Sequence, residues 1–172
     1  MTVEAVGEGG DSGLKGKRVY LRNGQWQRAN GTAAQYISLD AGLVHPLPDN
    51  VSFETGAALG IPALTEAYAV LKDGPVDGET VLIHGAGGTV ARLAVQIAVD
   101  AGARVFATTG DMAKSGAITA LGAEAVLDYR DPDLVATVAE VAGAGGVGRI
   151  IDAEVGANLA TSIGILRPKG VL

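Results

Sequence analysis

From residue 79 onward the apolar positions fall into two alternating kinds of run. Thr80-Val81-Leu82-Ile83 is short, unbroken and largely β-branched, the pattern of a strand buried on both faces. Beyond Gly85-Ala86-Gly87-Gly88-Thr89-Val90-Ala91 the period changes. Arg92, Gln96 and Asp100 recur at i, i+4 and i+8 among Val, Leu, Ile and Ala, which predicts a helix with one narrow polar stripe, closed by Gly102. Residues 104–108 predict a second buried strand, with Thr109 and Gly110 at its end. Strand, glycine turn, helix and strand within about 30 residues make a βαβ unit with the outline of a dinucleotide-binding fingerprint.

The alternation continues to the end of the chain. Asp111 caps a helix running to Leu121, stopped by Gly122. Residues 125–127 are a strand. Asp131-Pro132 reads as an N-cap followed by proline at the first helical position, with Leu134, Val135, Val138, Val141 and Ala142 as the apolar face. Residues 142–148 are a glycine-rich connection, 149–151 a strand, 158–166 a helix, and a further strand opens at Gly170. The pattern predicts an α/β fold with a doubly wound parallel (Rossmann) sheet.

Upstream the pattern is different. Residues 3–7, 17–21 and 33–38 read as short strands separated by Gly and Asn turns. Residues 42–48 are extended, because Pro46 and Pro48 exclude a helix. Trp26, among Asn23, Gly24 and Gln25, reads as a loop residue packed on a neighbour. Ser52 caps a helical stretch to Lys72 that Gly60 and Pro62 break in two.

Composition narrows the chemistry. The 172 residues carry a net charge of −6, which argues against nucleic acid or an anionic membrane as partner. No apolar run approaches the length of a membrane-spanning helix, and residues 1–10 lack the features of a signal peptide, so a soluble cytoplasmic protein is expected. The absence of cysteine removes disulfides, thiol nucleophiles and cysteine-based zinc sites, and His45 and His84 lie too far apart to make a metal site. The glycine turn has a physical use. A pyrophosphate must approach the backbone at the positive end of a helix, and a side chain there would block it. Gly88 holds that place, Ala91 allows close helix–strand packing, and Ala86 stands for the first glycine. The alternative is a merely structural βα turn. Tyr68-x-x-x-Lys72 has the spacing of a short-chain dehydrogenase pair but precedes the turn that such a pair should follow, so it carries no weight.

Four segments together resemble the zinc-independent quinone oxidoreductases (zeta-crystallin type) of the medium-chain dehydrogenase/reductase superfamily. Val3-Glu4-Ala5-Val6-Gly7-Glu8-Gly9 with Gly16-Lys17-Arg18-Val19 is similar to part of that family's GroES-like β domain. Pro46-Leu47-Pro48-Asp49 through Glu54, with Gly60-Ile61-Pro62-Ala63-Leu64-Thr65, is similar to its interdomain crossing. The turn from Gly85 to Ala91 is similar to its Ala-x-Gly-Gly-Val-Gly loop. Leu121-Gly122-Ala123, Asp128-Tyr129-Arg130 and Gly156-Ala157-Asn158-Leu159 match later landmarks.

The resemblance implies a partial GroES-like domain at 1–50, a helical crossing at 51–78 and a Rossmann domain at 79–172, incomplete at its C-terminal end. It implies NADPH rather than NADH as cofactor, and hydride transfer to a quinone or enone. Apolar residues that would face parts of the fold beyond this sequence predict, separately, a homo-oligomer or self-associating chain. Gly85, Ala86, Gly87, Gly88, Thr89 and Val90 would form the phosphate turn, joined by Thr109. Lys114 and Tyr129 match the positions that recognise the adenosine 2′-phosphate, and Thr65 a position near the nicotinamide. Lys114 also reads as a solvated helix residue, Tyr129 as a strand-end residue and Thr65 as an interior helix residue. Asp111 stands where an NAD enzyme places its ribose acceptor. No catalytic residue is named. Thr89 and Ala91 depart from the family's glycines, and the chain reads as a central portion of a longer member. A non-catalytic nucleotide-binding module is the rival expectation.

Overall fold

The computed structural model describes residues 1–172, which form two compact units, Met1–Leu64 and Thr65–Leu172. The boundary falls inside one helix, so the stretch 51–78 is divided between them.

In the first unit the strands β1 (Val19–Leu21) and β2 (Val44–Pro46) pair antiparallel, Tyr20 opposite His45. Arg18 fastens the chain that follows. Its guanidinium donates to the carbonyls of Pro48, Asp49 and Val51 at 2.6–2.9 Å and lies 4.5 Å from the centre of the Phe53 ring. Helix α1 (Phe53–Leu59) starts where expected, the Ser52 hydroxyl accepting from the Thr55 N–H at 3.1 Å. Two expected strands are absent. Residues 3–7 have ladder contacts only around Val3, whose N–H donates to the Lys17 carbonyl at 3.0 Å, with a lone bridge from Thr2 to Arg18. Residues 33–38 have no strand partner, and apolar-polar alternation without one does not hold an extended chain. Trp26 is in a loop as expected but 70% exposed, not packed.

Helix α2 (Ile61–Leu71) crosses the boundary, and Gly60 separates it from α1 as the sequence predicts. In the second unit β3 (Thr80–Ile83), β4 (Arg104–Thr109), β5 (Ala125–Asp128), β6 (Val147–Ile151) and β7 (Leu166–Val171) form one parallel sheet in the order β5-β4-β3-β6-β7. The helices between them are α3 (Thr89–Asp100), α4 (Ser115–Thr119), α5 (Leu134–Ala142) and α6 (Val155–Ile165). Side chains alternate across the sheet. Val81, Ile83, Val105 and Ala107 pack with Ala94, Val95 and Ala98 of α3, while Leu82, Phe106 and Ile150 pack with Leu134 and Val138 of α5. This is the expected α/β fold.

Five elements differ in their bounds from the sequence reading. The helix after Asp111 is a tight turn, Met112–Lys114, followed by the short α4, because the Asp111 carboxylate caps that turn at the Ala113 N–H. Helix α5 starts after Asp133, not at Asp131-Pro132: Asp131 takes the Asp133 N–H at 2.9 Å and forms a turn instead. The glycine-rich connection is shorter than expected, since Val147 and Gly148 already belong to β6. The last helix runs earlier, and β7 begins at Leu166 rather than Gly170. No helix is long and apolar enough to cross a membrane.

Candidate functional site: the turn after the first sheet strand

Strand β3 is central, and the chain leaves it first toward β4 and later returns to its other side as β6. Ligands of open parallel sheets bind at the carboxyl ends of the strands where the winding reverses. Here that place is residues 85–88.

The turn is held from below. Gly85 has φ +68°, a conformation that favours glycine, and the Gly88 N–H closes on the Gly85 carbonyl at 2.9 Å. Ala86 is buried, its N–H donating to the Thr108 carbonyl at 2.8 Å. Gly87 is glycine for a different reason. A Cβ there would come within 2.8 Å of Thr109 Oγ1 and 3.4 Å of Lys114 Cδ, so the turn lies directly against both. At Gly88 a Cβ would meet only the Gly85 carbonyl at 3.4 Å. The chain itself leaves that space clear.

Gly88 is the N-cap of α3 and supplies no side-chain cap. Thr89 and Val90, the first two helical residues, are exposed, so the N-terminal N–H groups face outward. The charges of α3 oppose its dipole: no acid lies in the first turn, Arg92 does, and Asp100 ends the helix. Arg92 Nε is also buried without a hydrogen-bond partner. A helix N-terminus with no side-chain cap and a glycine cradle fits a phosphate-bearing group.

Beside the turn, the loop after β4 and the end of β5 make a second wall. Thr109 is buried and its hydroxyl accepts from the Asp111 N–H at 3.2 Å. Lys114 Nζ is 3.7 Å from Asp111 Oδ2, both about half exposed. A Cβ on Gly110 would lie 2.7 Å from the Tyr129 ring and hydroxyl, so that ring rests on the loop. Arg130 grips the Asp128 carboxylate through two nitrogens and donates to the Gly110 carbonyl. Residues 85–88, Thr109, Lys114 and Tyr129 are thus brought to one end of the sheet. Thr65 is exposed on α2 and makes no hydrogen bond to the turn.

The sequence weighs His84 only as a metal ligand. It is buried behind the turn, between Thr108 and Ser162, and burial lowers the pKa of its imidazole, with Asp152 opposing. A polar residue ending an all-apolar strand was the available signal. No three His, Cys, Asp or Glu side chains come together, so the residues present do not fit a zinc ion.

A family model described as zinc-binding dehydrogenase matches residues 89–172. The quinone oxidoreductase of Sus scrofa is 34% identical over 169 residues, 98% of this chain and 50% of that protein. Among solved structures, an NAD-dependent alcohol dehydrogenase superposes with a TM-score of 0.88 at 29% identity, over 99% of this chain and 57% of the other. The Escherichia coli quinone oxidoreductase complexed with NADPH gives 0.78 at 28% identity, over 97% and 50%. The chain spans about half the length of the curated relatives it matches.

Proposed function

Since this chain belongs to the medium-chain dehydrogenase/reductase superfamily, with quinone oxidoreductases among its relatives, we propose that it is the cofactor-binding part of an NADPH-dependent quinone or enone reductase. The observation that carries the reading is the uncapped N-terminus of α3 facing a turn whose Gly88 is empty of protein contacts on its outer side. NADPH, when bound, would supply a hydride to the conjugated carbonyl acceptor. Residues 85–88 and the first N–H groups of α3, including those of Thr89 and Val90, would hold the pyrophosphate. Thr109 and Gly87 set the floor of that cradle. Lys114 would pair with the 2′-phosphate, and Tyr129 would flank the adenine. Thr65 would stand near the nicotinamide. The chain's contribution is binding and alignment of the two reactants, for which no nucleophile is required.

Lys114→Ala tests the reading. It should weaken NADPH by about 1.5–3 kcal/mol, the worth of a charged hydrogen bond, and barely alter NADH. Equal losses for both would make the lysine structural. Steady NADPH oxidation with a quinone, above a no-protein blank, separates an enzyme from a module that binds nucleotide only. A second reading rests on Asp111, which lies within 3.7 Å of Lys114 and could accept from a ribose 2′-OH. Preference of the wild type for NADH would favour it.

A further inference from the structure

Behind the glycine turn three polar side chains are buried one after another. His84 directly follows β3, with its Nδ1 3.0 Å from Thr108 Oγ1 and its Nε2 3.4 Å from Ser162 Oγ on α6. Their exposures are 6%, 0% and 0%. Thr108 Oγ1 has a further partner, the backbone N–H of Gly85, at 3.3 Å. The two backbone bonds on either side are firm: the His84 N–H donates to the Ile151 carbonyl at 2.9 Å and the Ala86 N–H to the Thr108 carbonyl at 2.8 Å. The peptide joining His84 to Gly85 is therefore tied only through the Thr108 hydroxyl.

A hydroxyl has one proton and two lone pairs. For Thr108 to accept from Gly85 without competition, its own proton must go elsewhere, and the nearby acceptor is Nδ1 of His84. That requires the imidazole to be neutral with its proton on Nε2, facing the Ser162 oxygen. Burial favours the neutral form. We infer that His84 is a positioning residue for the turn: as an acceptor at Nδ1 it orients the Thr108 hydroxyl onto the Gly85 N–H, and so fixes the peptide from which the turn and its outward N–H groups are aimed. The inference rests on the reading that the turn holds a phosphate-bearing cofactor. A histidine that merely fills space under the sheet would impose no such orientation.

Four variants of the full chain test it, read by calorimetric titration with NADPH and NADH and by amide hydrogen exchange across residues 85–88. Thr108→Val removes the hydroxyl at nearly constant volume, and Thr108→Ser keeps it. His84→Leu removes the acceptor, and His84→Asn places an amide oxygen near the Nδ1 position. Thr108→Val and His84→Leu should each weaken both cofactors about tenfold, the worth of one hydrogen bond, and speed exchange at Gly85. Combining them should add little further, whereas Thr108→Ser and His84→Asn should stay near wild type in both readouts. Faster melting of Thr108→Val and His84→Leu with unchanged exchange at Gly85 would overturn the inference and leave His84 as packing. If wild type binds neither cofactor, the functional reading fails, and the exchange measurement still decides the role of His84.

Discussion

Gly87 and Gly88 are adjacent in the turn, but only at Gly87 do the chain's own neighbours exclude a side chain. Gly87→Ala would press on Thr109 and Lys114 and should cost about 1–3 kcal/mol of stability. Gly88 has φ −87° and ψ 160°, which any residue adopts, and its Cβ direction is open. Gly88→Ala should therefore leave the denaturation midpoint within about 0.5 kcal/mol of wild type while abolishing NADPH binding. Denaturant titrations beside calorimetry check both, and intact NADPH affinity in a folded Gly88→Ala would remove the glycine from the site. Arg92 gives the complementary case. Replacing it with Leu removes a buried Nε without a partner and a cation at the positive end of the helix, and should stabilise the ligand-free chain by about 0.5–1.5 kcal/mol and shrink the melting shift that NADPH produces. A destabilised Arg92→Leu would show that the guanidinium is better placed than its missing partner implies. His84 sets a pH dependence. Its folded pKa lies below the ordinary value of about 6.5, so the folded chain binds fewer protons than the unfolded one in that window. Its contribution is present above about 6.5 and is lost as pH falls through the lowered folded value. Glu66 acts with the opposite sign, burial raising its carboxyl pKa so that its contribution falls as pH rises through that raised value. Melting curves across the acid range should show His84→Asn flatter than wild type below about 6.5.

The C-terminal end of helix α2 meets the sheet through the buried Val70 and through one side chain of β6. Arg149 is buried and donates to the carbonyl of Val70 in the last turn of α2 and to those of Asp73 and Gly74 in the turn that follows. Arg149→Met should cost about 2–4 kcal/mol in chemical denaturation, since several buried acceptors lose their donor. Arg149→Lys should recover little, because an ammonium cannot span the three carbonyls as a planar fork does. Elements like β3, α3 and β4 are legible in the sequence because the two strands are apolar and covered on both faces, while α3 sets an apolar face against one polar stripe at helical period. Strand β7 was not, because Leu166-Arg167-Pro168-Lys169 is mostly exposed, Lys169 has φ +65°, and backbone pairing to β6 rather than apolar burial defines it. The start of α5 was misread because Asp131 and Asp133 are equally good caps in isolation. For the site, the turn at 85–88 was readable from its place between strand and helix. Thr108 and Ser162, by contrast, lie 24 and 78 positions from His84, and only the folded sheet brings them together.

Across the chain, large apolar side chains remain uncovered. Tyr68 is 69% exposed and Ile163 64%, with Leu64 and Leu159 also outside, and β7 presents an unpaired strand edge. Such surface and an open edge favour association. The chain should show a concentration-dependent mass by sedimentation and bind an apolar dye; a monomer at every concentration with no dye uptake would contradict this. The central position of β3 has a consequence in time. As the chain leaves the ribosome, Ile83 soon meets Ala107 of β4, but its other neighbour, Ile151, follows roughly 70 residues later. Between Ala107 and Ile151 the middle of the future sheet has one bare side, for on the order of 2–9 s at about 5–20 residues per second. Nascent chains arrested within that interval should be bound by chaperones and cut readily by protease, and those carrying β6 clear of the tunnel should be protected. The strand that leads into the glycine turn thus waits longest for its second neighbour, and the hazard of making this fold is concentrated in the wait for β6.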